Sequence, residues 1–177
     1  MRLRSWLYAL VVVALLVPAY PMAAYASDST NRTASIVSDS VAPLVILGEL
    51  SLMAGGTQGK REARQGAKAL AATALATGLL KLTVHEKRPD GSSEDSFPSG
   101  HTSEAFAMAT VWSAYHPRQS LLAYTAAAAV GWSRVELRKH TWKDVMAGAL
   151  LGYVIAKHFT NQETGADPGG LAVQLKF

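Results

Sequence analysis

The stretch Pro98-Ser99-Gly100-His101-Thr102-Ser103-Glu104 opens an alanine-rich segment near the middle of this 177-residue chain. A proline and a serine directly before an apolar run are typical of a helix start, and the residues that follow, as far as Tyr115, are rich in alanine. The free N–H groups and the positive dipole end at such a start attract an anion, and Gly100 lets a ligand approach the backbone closely. The stretch therefore predicts a helix whose beginning can bind an anion.

The remainder of the chain is also rich in alanine and leucine and has few β-branched runs, which favours an all-α fold. We expect a compact bundle of about five helices within a domain at residues 36–160. The predicted helical segments are residues 36–54, 61–84, 98–115, 119–135 and 141–159. The polar residues 27–35 predict a flexible N-terminal segment. In the C-terminal tail, residues 161–177, an alternating pattern over 171–177 predicts one short strand.

The N-terminus has the features of a secretory signal peptide, which we predict at residues 1–26. Arg2 and Arg4 form a charged start, an apolar run covers residues 7–17, and Ala24-Tyr25-Ala26 fits a cleavage site. Because the apolar run is shorter than the ~20 residues of a spanning helix, cleavage is favoured over an uncleaved membrane anchor. We therefore expect an exported protein, with the periplasm as its compartment.

Three apolar stretches cover residues 69–80, 121–132 and 145–156. Each is shorter than the ~18 residues of a spanning helix, which favours a soluble or membrane-associated bundle, with an integral membrane protein as the alternative. The chain has a formal net charge of +4 and no cysteine. The lack of cysteine excludes disulfides and thiolate catalysis. The positive charge, without a basic run interleaved with aromatics, favours an anionic substrate over nucleic acid.

Lys81 and Arg88 form the first of three groups of polar residues that could take part in binding or catalysis. They are seven residues apart, which is two helical turns, so both side chains lie on one helix face. Pro89 then ends the helix. An ammonium and a guanidinium placed in this way can clamp a phosphate from two sides. A solvated basic face is the alternative.

Ser99 and His101, in the stretch quoted above, form the second group. The hydroxyl of Ser99 can donate a hydrogen bond to an anion at the helix start. His101 would lie beside that anion, where it can act as a general acid near neutral pH. An ordinary helix cap followed by a surface histidine is the alternative.

His140 and Asp144 form the third group, with Arg134 upstream. Residues four apart are neighbours on a helix face, so Asp144 can accept the Nδ1–H of His140 and leave Nε2 with a free lone pair. A nucleophilic histidine needs such a partner, and Arg134 can supply a further cation to phosphoryl oxygens. A surface His–Asp pair with a nearby arginine is the alternative.

His101, His140 and Asp144 could also be three ligands of a zinc ion. No His-Glu-x-x-His or similar spacing occurs, and clustered lysine and arginine side chains would repel a cation. The sequence therefore predicts no metal site.

Together, the three groups read Lys81-x6-Arg88-Pro89, Pro98-Ser99-Gly100-His101 and Ser133-Arg134-x5-His140-x3-Asp144, in that order. This set of motifs resembles the signature of the type 2 phosphatidic acid phosphatase and vanadium-dependent haloperoxidase superfamily. The resemblance implies an all-helical bundle in which the motifs meet at one end.

The resemblance also implies a role for each site residue. His140 would be the nucleophile that forms a phosphohistidine, Asp144 would orient it, and His101 would protonate the leaving alkoxide and later activate water. The groups that would bind the phosphoryl oxygens are Lys81, Arg88, Ser99, the Gly100 amide and Arg134.

Two activities follow from this resemblance. The first is an exported, metal-independent, acid-type phosphatase that hydrolyses phosphomonoesters or pyrophosphates of small molecules or lipids and needs no cofactor. The alternative is a haloperoxidase that holds vanadate in the same oxyanion site. The small size of the chain favours the phosphatase.

Overall fold

Six α-helices follow one another in residues 29–164, the part of the chain that the computed structural model describes. They are α1 (Ser29–Asp39), α2 (Val41–Met53), α3 (Gly56–Thr83), α4 (Gly100–Tyr115), α5 (Ser120–Glu136) and α6 (Trp142–Thr164). Only Ser40 separates α1 from α2, and a 3-10 turn, Pro117–Gln119, leads into α5. Apart from an isolated bridge between Glu86 and Asp95, these residues show no strand pairing. The predicted all-α fold is confirmed.

The flexible segment predicted at residues 27–35 was wrong from Ser29 onward, because these residues form most of α1. The hydroxyl of Thr33 donates to the carbonyl of Ser29 at 2.9 Å, so a polar side chain bonds within the helix instead of competing with it. Ala34 is buried where α1 packs against α5. Tertiary packing therefore stabilises a segment whose own helix propensity is low. The predicted signal peptide and C-terminal strand lie outside the described residues.

Helix α4 is the centre of the bundle and packs against α2, α3, α5 and α6. The core that forms around it consists of Leu52, Ala63, Ala69, Ala107, Met108, Val111 and Ala156. Most of these side chains are small, so the helices approach one another closely. The bundle is therefore held by short interhelical distances more than by large core side chains.

Gly148 and Gly152 show how closely α6 approaches α4. A Cβ added at Gly148 would lie 2.5 Å from the carbonyl oxygen of Ser99, and one added at Gly152 would lie 2.0 Å from that of Ser103. Neither backbone oxygen can move without shifting α4. Because Ser99 immediately precedes α4, this contact also sets the position of the helix start that the sequence marks as an anion site.

The outer surface of the bundle is rich in large apolar side chains. On α1, α2 and α3 the exposed ones are Ile36, Leu44, Ile46, Leu50, Met53, Leu75, Leu79 and Leu82; on α5 and α6 they are Leu121, Leu122, Trp142, Met146, Leu150, Tyr153 and Val154. Within residues 29–164, one helical stretch, Ser29–Met53, is long and apolar enough to cross a membrane by length and composition alone. Surface apolar area on this scale marks a contact with a partner or a lipid phase.

Replacing Gly152 by alanine is expected to destabilise the protein, because the new methyl group must displace the Ser103 carbonyl. Overpacking of this kind costs about 1–3 kcal/mol. Gly78→Ala is the matched control, since nothing lies within 4 Å of a Cβ at that position in the interior of α3; it should stabilise the helix by roughly 0.5–1 kcal/mol. Denaturant unfolding of both variants would measure the difference. Equal stability of the two would contradict the close α4–α6 contact.

Candidate active site

The three motifs meet at one end of the bundle, as the family resemblance implies. Lys81 lies in the last turn of α3, Gly100 begins α4, Arg134 lies in the last turn of α5 and Asp144 in the first turn of α6. The main-chain N–H of Ser99 donates to the carbonyl of Asp144 at 3.0 Å, which joins the second motif to the third. A Cβ at Gly100 would lie 3.9 Å from Cε of Lys81, so the first motif adjoins the second.

Asp144 is fully buried and is held by two donors. Its Oδ2 accepts a hydrogen bond from the hydroxyl of Ser96 at 2.7 Å and one from the main-chain N–H of Thr141 at 2.8 Å. Burial of a carboxylate is tolerated only when such bonds replace its water. The side chain at the start of α6 is therefore fixed in orientation before any ligand binds.

His140 is a neighbour of Asp144 but does not form the predicted hydrogen bond with it. Its Nδ1 lies 3.8 Å from Oδ2 of Asp144, which is beyond hydrogen-bond range. Within residues 29–164, neither this Nδ1 nor Oδ1 of Asp144 has a hydrogen-bond partner. The reason is that His140 precedes α6, which begins at Trp142, so the spacing of a regular helix does not apply to this pair.

The electrostatic environment keeps the imidazole of His140 neutral. Burial lowers the pKa of His140 to about 4, and the cations Arg134, Lys81 and Arg88 contribute to the shift in that order, while Asp144 opposes it. A neutral imidazole retains a lone pair on one ring nitrogen. His140 is thus held near neutral pH in the form that can attack an electrophile.

Asp95, which the motifs did not indicate, pairs with both cations of the first motif. Nε and Nη2 of Arg88 lie 3.0 and 3.2 Å from the two carboxylate oxygens of Asp95, and Nζ of Lys81 donates to its main-chain carbonyl. A hydrogen bond from Ser93, followed by the charges of Arg88 and Lys81, lowers the pKa of Asp95. The carboxylate uses one edge of the guanidinium and leaves Nη1 of Arg88 available to a ligand.

Arg134 is buried, and its Nη1 donates to the hydroxyl of Ser38 at 2.5 Å. Ser99 is also fully buried, and its hydroxyl shares a hydrogen bond of 2.9 Å with that of Thr102. His101, in contrast, is exposed in the first turn of α4. The site therefore has a buried floor that carries Arg134 and His140 and an open side that carries His101.

Two ion pairs brace the loops that surround the site. Lys139 Nζ lies 2.6 Å from Asp90, and Lys143 Nζ lies 2.7 Å from Glu86. The first pair joins the segment between α3 and α4 to the segment that connects α5 with α6, and the second joins it to the first turn of α6. Because these pairs are partly exposed, each contributes little to stability; their effect is to set the position of the α3–α4 segment.

Four residues of the site were missed by the sequence reasoning: Ser38, Asp95, Ser96 and Thr141. Asp95 and Ser96 lie three and two residues before Pro98, so a polar pair close to that motif was the available signal. Ser38 gave none, because it lies 96 residues from Arg134. Within residues 29–164, no group of three histidine, aspartate or glutamate side chains is placed to hold a metal ion.

Replacing Ser96 by alanine should leave buried Asp144 with one donor fewer. Loss of this bond is expected to lower the free energy of unfolding by about 1–3 kcal/mol. Ser120→Ala is the control, since the exposed Ser120 hydroxyl bonds only to the carbonyl of Pro117, and its effect should stay within about 0.5 kcal/mol. Thermal and denaturant unfolding would compare them; equal effects would show that Ser96 does not support Asp144.

Two curated proteins are similar to this chain in sequence. A lipid A 1-phosphatase of Porphyromonas gingivalis is 33% identical over an alignment of 151 residues that covers 77% of this chain and 34% of the relative. Lipid phosphate phosphatase 1 of Arabidopsis thaliana is 42% identical over 76 residues, 34% of this chain and 23% of the relative. The chain thus spans about a third or less of the length of these relatives.

Two solved structures resemble the fold. LpxE of Aquifex aeolicus aligns with a TM-score of 0.58 and 26% identity over 73% of this chain and 82% of that one. The first transmembrane PAP2 type phosphatidylglycerolphosphate phosphatase from Bacillus subtilis aligns with a TM-score of 0.57 and 19% identity, over 94% and 98%; at that identity the likeness concerns the fold alone. The model of the PAP2 superfamily matches residues 66–166, more than half of the chain and all three motifs, and the protein therefore belongs to the PAP2 superfamily.

Proposed function

We propose that this protein is an exported phosphatase that hydrolyses lipid phosphates through a phosphohistidine on His140, without a metal. The observation that carries the proposal is a buried, neutral imidazole surrounded by three cations, Lys81, Arg88 and Arg134. Such a pocket attracts a phosphoryl group and offers it a nucleophile. The names of the two curated relatives, both lipid phosphatases, support the same reaction class.

In the first step, the phosphoryl oxygens would bind to Lys81, to Nη1 of Arg88, to Arg134 and to the main-chain N–H of Gly100. The free ring nitrogen of His140 attacks phosphorus, and the P–N bond forms as the P–O bond to the lipid alkoxide breaks. His101 donates a proton to the departing alkoxide oxygen. The exposed position of His101 suits this step, because the leaving group exits on the open side.

In the second step, a water molecule replaces the lipid alcohol. Neutral His101 takes a proton from the water, whose oxygen attacks phosphorus, and the P–N bond breaks to return the electron pair to His140. Inorganic phosphate then leaves. Both steps pass through a phosphorus centre with increased charge on its equatorial oxygens, and preorganised cations stabilise that charge without rearrangement.

The exterior of the bundle supports a lipid substrate and a membrane-associated protein. Leu75, Leu79 and Leu82 form an exposed stripe that runs along α3 towards Lys81, and Trp142 and Met146 are exposed at the start of α6. Apolar faces of this kind have a lower free energy in contact with acyl chains than in contact with water. They favour membrane association over the soluble alternative. Export is supported by the charged and apolar segments at the N-terminus.

The first test is phosphate release by the full chain in detergent with a chelator present. We expect hydrolysis of a detergent-dispersed lipid phosphate to exceed that of a soluble aryl phosphate. His140→Ala should lower kcat/KM by a factor on the order of 10⁴ or more, as loss of a covalent nucleophile does. His85→Ala, which removes an exposed histidine, is the control and should leave activity unchanged.

A chemical trap would test the intermediate in the same preparation. Substrate labelled in the phosphoryl group should leave label on the wild-type protein, stable in base and lost in acid, and none on His140→Ala. Activity that survives in His140→Ala, or that disappears with the chelator, would contradict the proposal.

The pH dependence follows from the pKa of His140. Because the nucleophile must be neutral and its pKa is about 4, kcat/KM should fall as pH drops through about 4. It should also fall at higher pH, where His101, whose pKa burial lowers, loses the proton that it donates to the leaving group. Lys81→Met removes one cation that disfavours the imidazolium, so the pKa should rise and the acidic limb should move to higher pH. Lys87→Met, an exposed lysine, is the control. Identical acidic limbs in wild type and Lys81→Met would refute this assignment.

A further inference from the structure

Helix α1, the first helix of the described residues, reaches the active site through its last turn. Ser38 is 2% exposed, Arg134 is 8% exposed, and the hydroxyl of Ser38 accepts a hydrogen bond of 2.5 Å from Nη1 of Arg134. The two residues are 96 positions apart, and Ser38 lies outside residues 66–166, which carry the family match. A residue outside the matched region thus forms a hydrogen bond with Arg134, one of the cations of the site.

We infer that Ser38 is a positioning residue that holds the guanidinium of Arg134 in the orientation in which it binds a phosphoryl group. This inference rests on the proposed function, in which Arg134 contacts the phosphoryl oxygens. Ser38 itself does not touch the substrate. The Ser38 hydroxyl holds Nη1 in place, so that the edge of the guanidinium formed by Nε and Nη2 faces in one direction.

The hydrogen bonding of Arg134 supports this assignment. Its Nε is buried and, within residues 29–164, has no hydrogen-bond partner. A buried N–H without a partner is costly, and a group that is unsatisfied in the empty site gains most when a ligand supplies an acceptor. With Nη1 committed to Ser38, the edge that carries Nε and Nη2 remains for two oxygens of one phosphoryl group, which matches bidentate recognition by arginine.

The placement of α1 explains why the contact is rigid. Ala34 and Ser38 are both buried and are one helical turn apart, so they lie on the face that packs against α5. Asp39, the next residue, attracts both Arg134 and His101 electrostatically. One turn of α1 therefore bears on two of the residues that would contact the substrate.

A double-mutant cycle on the full chain tests the inference. The variants are Ser38→Ala, Arg134→Ala and the double variant, assayed for kcat and KM and for inhibition by vanadate as a phosphate mimic. We expect Ser38→Ala to lower kcat/KM and vanadate affinity on the order of tenfold, as loss of a hydrogen bond to a charged group does. In the Arg134→Ala background, Ser38→Ala should have no further effect.

Two further variants separate positioning from folding. Ser40→Ala is the matched control at the same helix junction, because the Ser40 hydroxyl bonds only to the carbonyl of Val37; its kinetics should equal those of wild type. Should Ser38→Ala fail to fold, Ser38→Cys keeps a side chain of similar size with a weak acceptor, and its loss of vanadate affinity should be intermediate. Circular dichroism and thermal unfolding would establish that each variant is folded.

The outcomes are distinct. Unchanged kinetics in folded Ser38→Ala, or an equal loss in the presence and absence of Arg134, would overturn the inference while leaving the phosphatase intact. A wild-type chain that neither hydrolyses any phosphate nor binds vanadate would overturn both this inference and the proposed function. A loss that depends on Arg134, together with a silent Ser40→Ala, would establish Ser38 as a positioning residue.

Discussion

The burial of one carboxylate, Asp144, is the constraint on which the site depends. A buried charge must receive hydrogen bonds in place of its water, or the folded state loses several kcal/mol of stability. Here the donors come from two separate segments, Ser96 before α4 and Thr141 before α6, while the carbonyl of Asp144 accepts the N–H of Ser99. To satisfy Asp144, the chain must bring the starts of α4 and α6 together. The assembly of the site and the packing of these two helices are therefore one event.

The second constraint is the mutual repulsion of three cations, Lys81, Arg88 and Arg134, around His140. Their repulsion raises the free energy of the empty site, and carboxylates at its edge, Asp95 beside Arg88 and Asp39 near Arg134, offset part of it. In the proposed reaction, the phosphoryl group would offset the remainder when it binds. Burial is the main cause of the lowered pKa of His140, and the same three cations lower it further. The cations that attract an oxyanion therefore also help to keep the nucleophile neutral.

Local patterns predicted what depends on local spacing. The start of α4 at Gly100 followed from its motif, and the meeting of the motifs at one end followed from the family resemblance. Sequence patterns gave wrong predictions where contacts between distant segments determine the structure. Polar residues from Ser29 onward became helix because α5 buries one face of them. His140 fell outside α6, so helical spacing did not describe its relation to Asp144. Ser38 could not be found, because no local signal marks a partner 96 residues away.

The position of the charged site relative to the apolar exterior affects which kinds of phosphate ester can bind there. Leu82 lies in the last turn of α3 and Trp142 begins α6, and both side chains are exposed. Apolar side chains therefore occur at the same end of the bundle as the cations, at the rim of the site. A soluble phosphate ester would approach this rim without using the apolar surface. An amphiphile with a phosphate head could place its head among the cations while its chains stay against apolar side chains, and both contacts would contribute to binding. The proposed lipid phosphate, which has a charged and an apolar part, would use both surfaces.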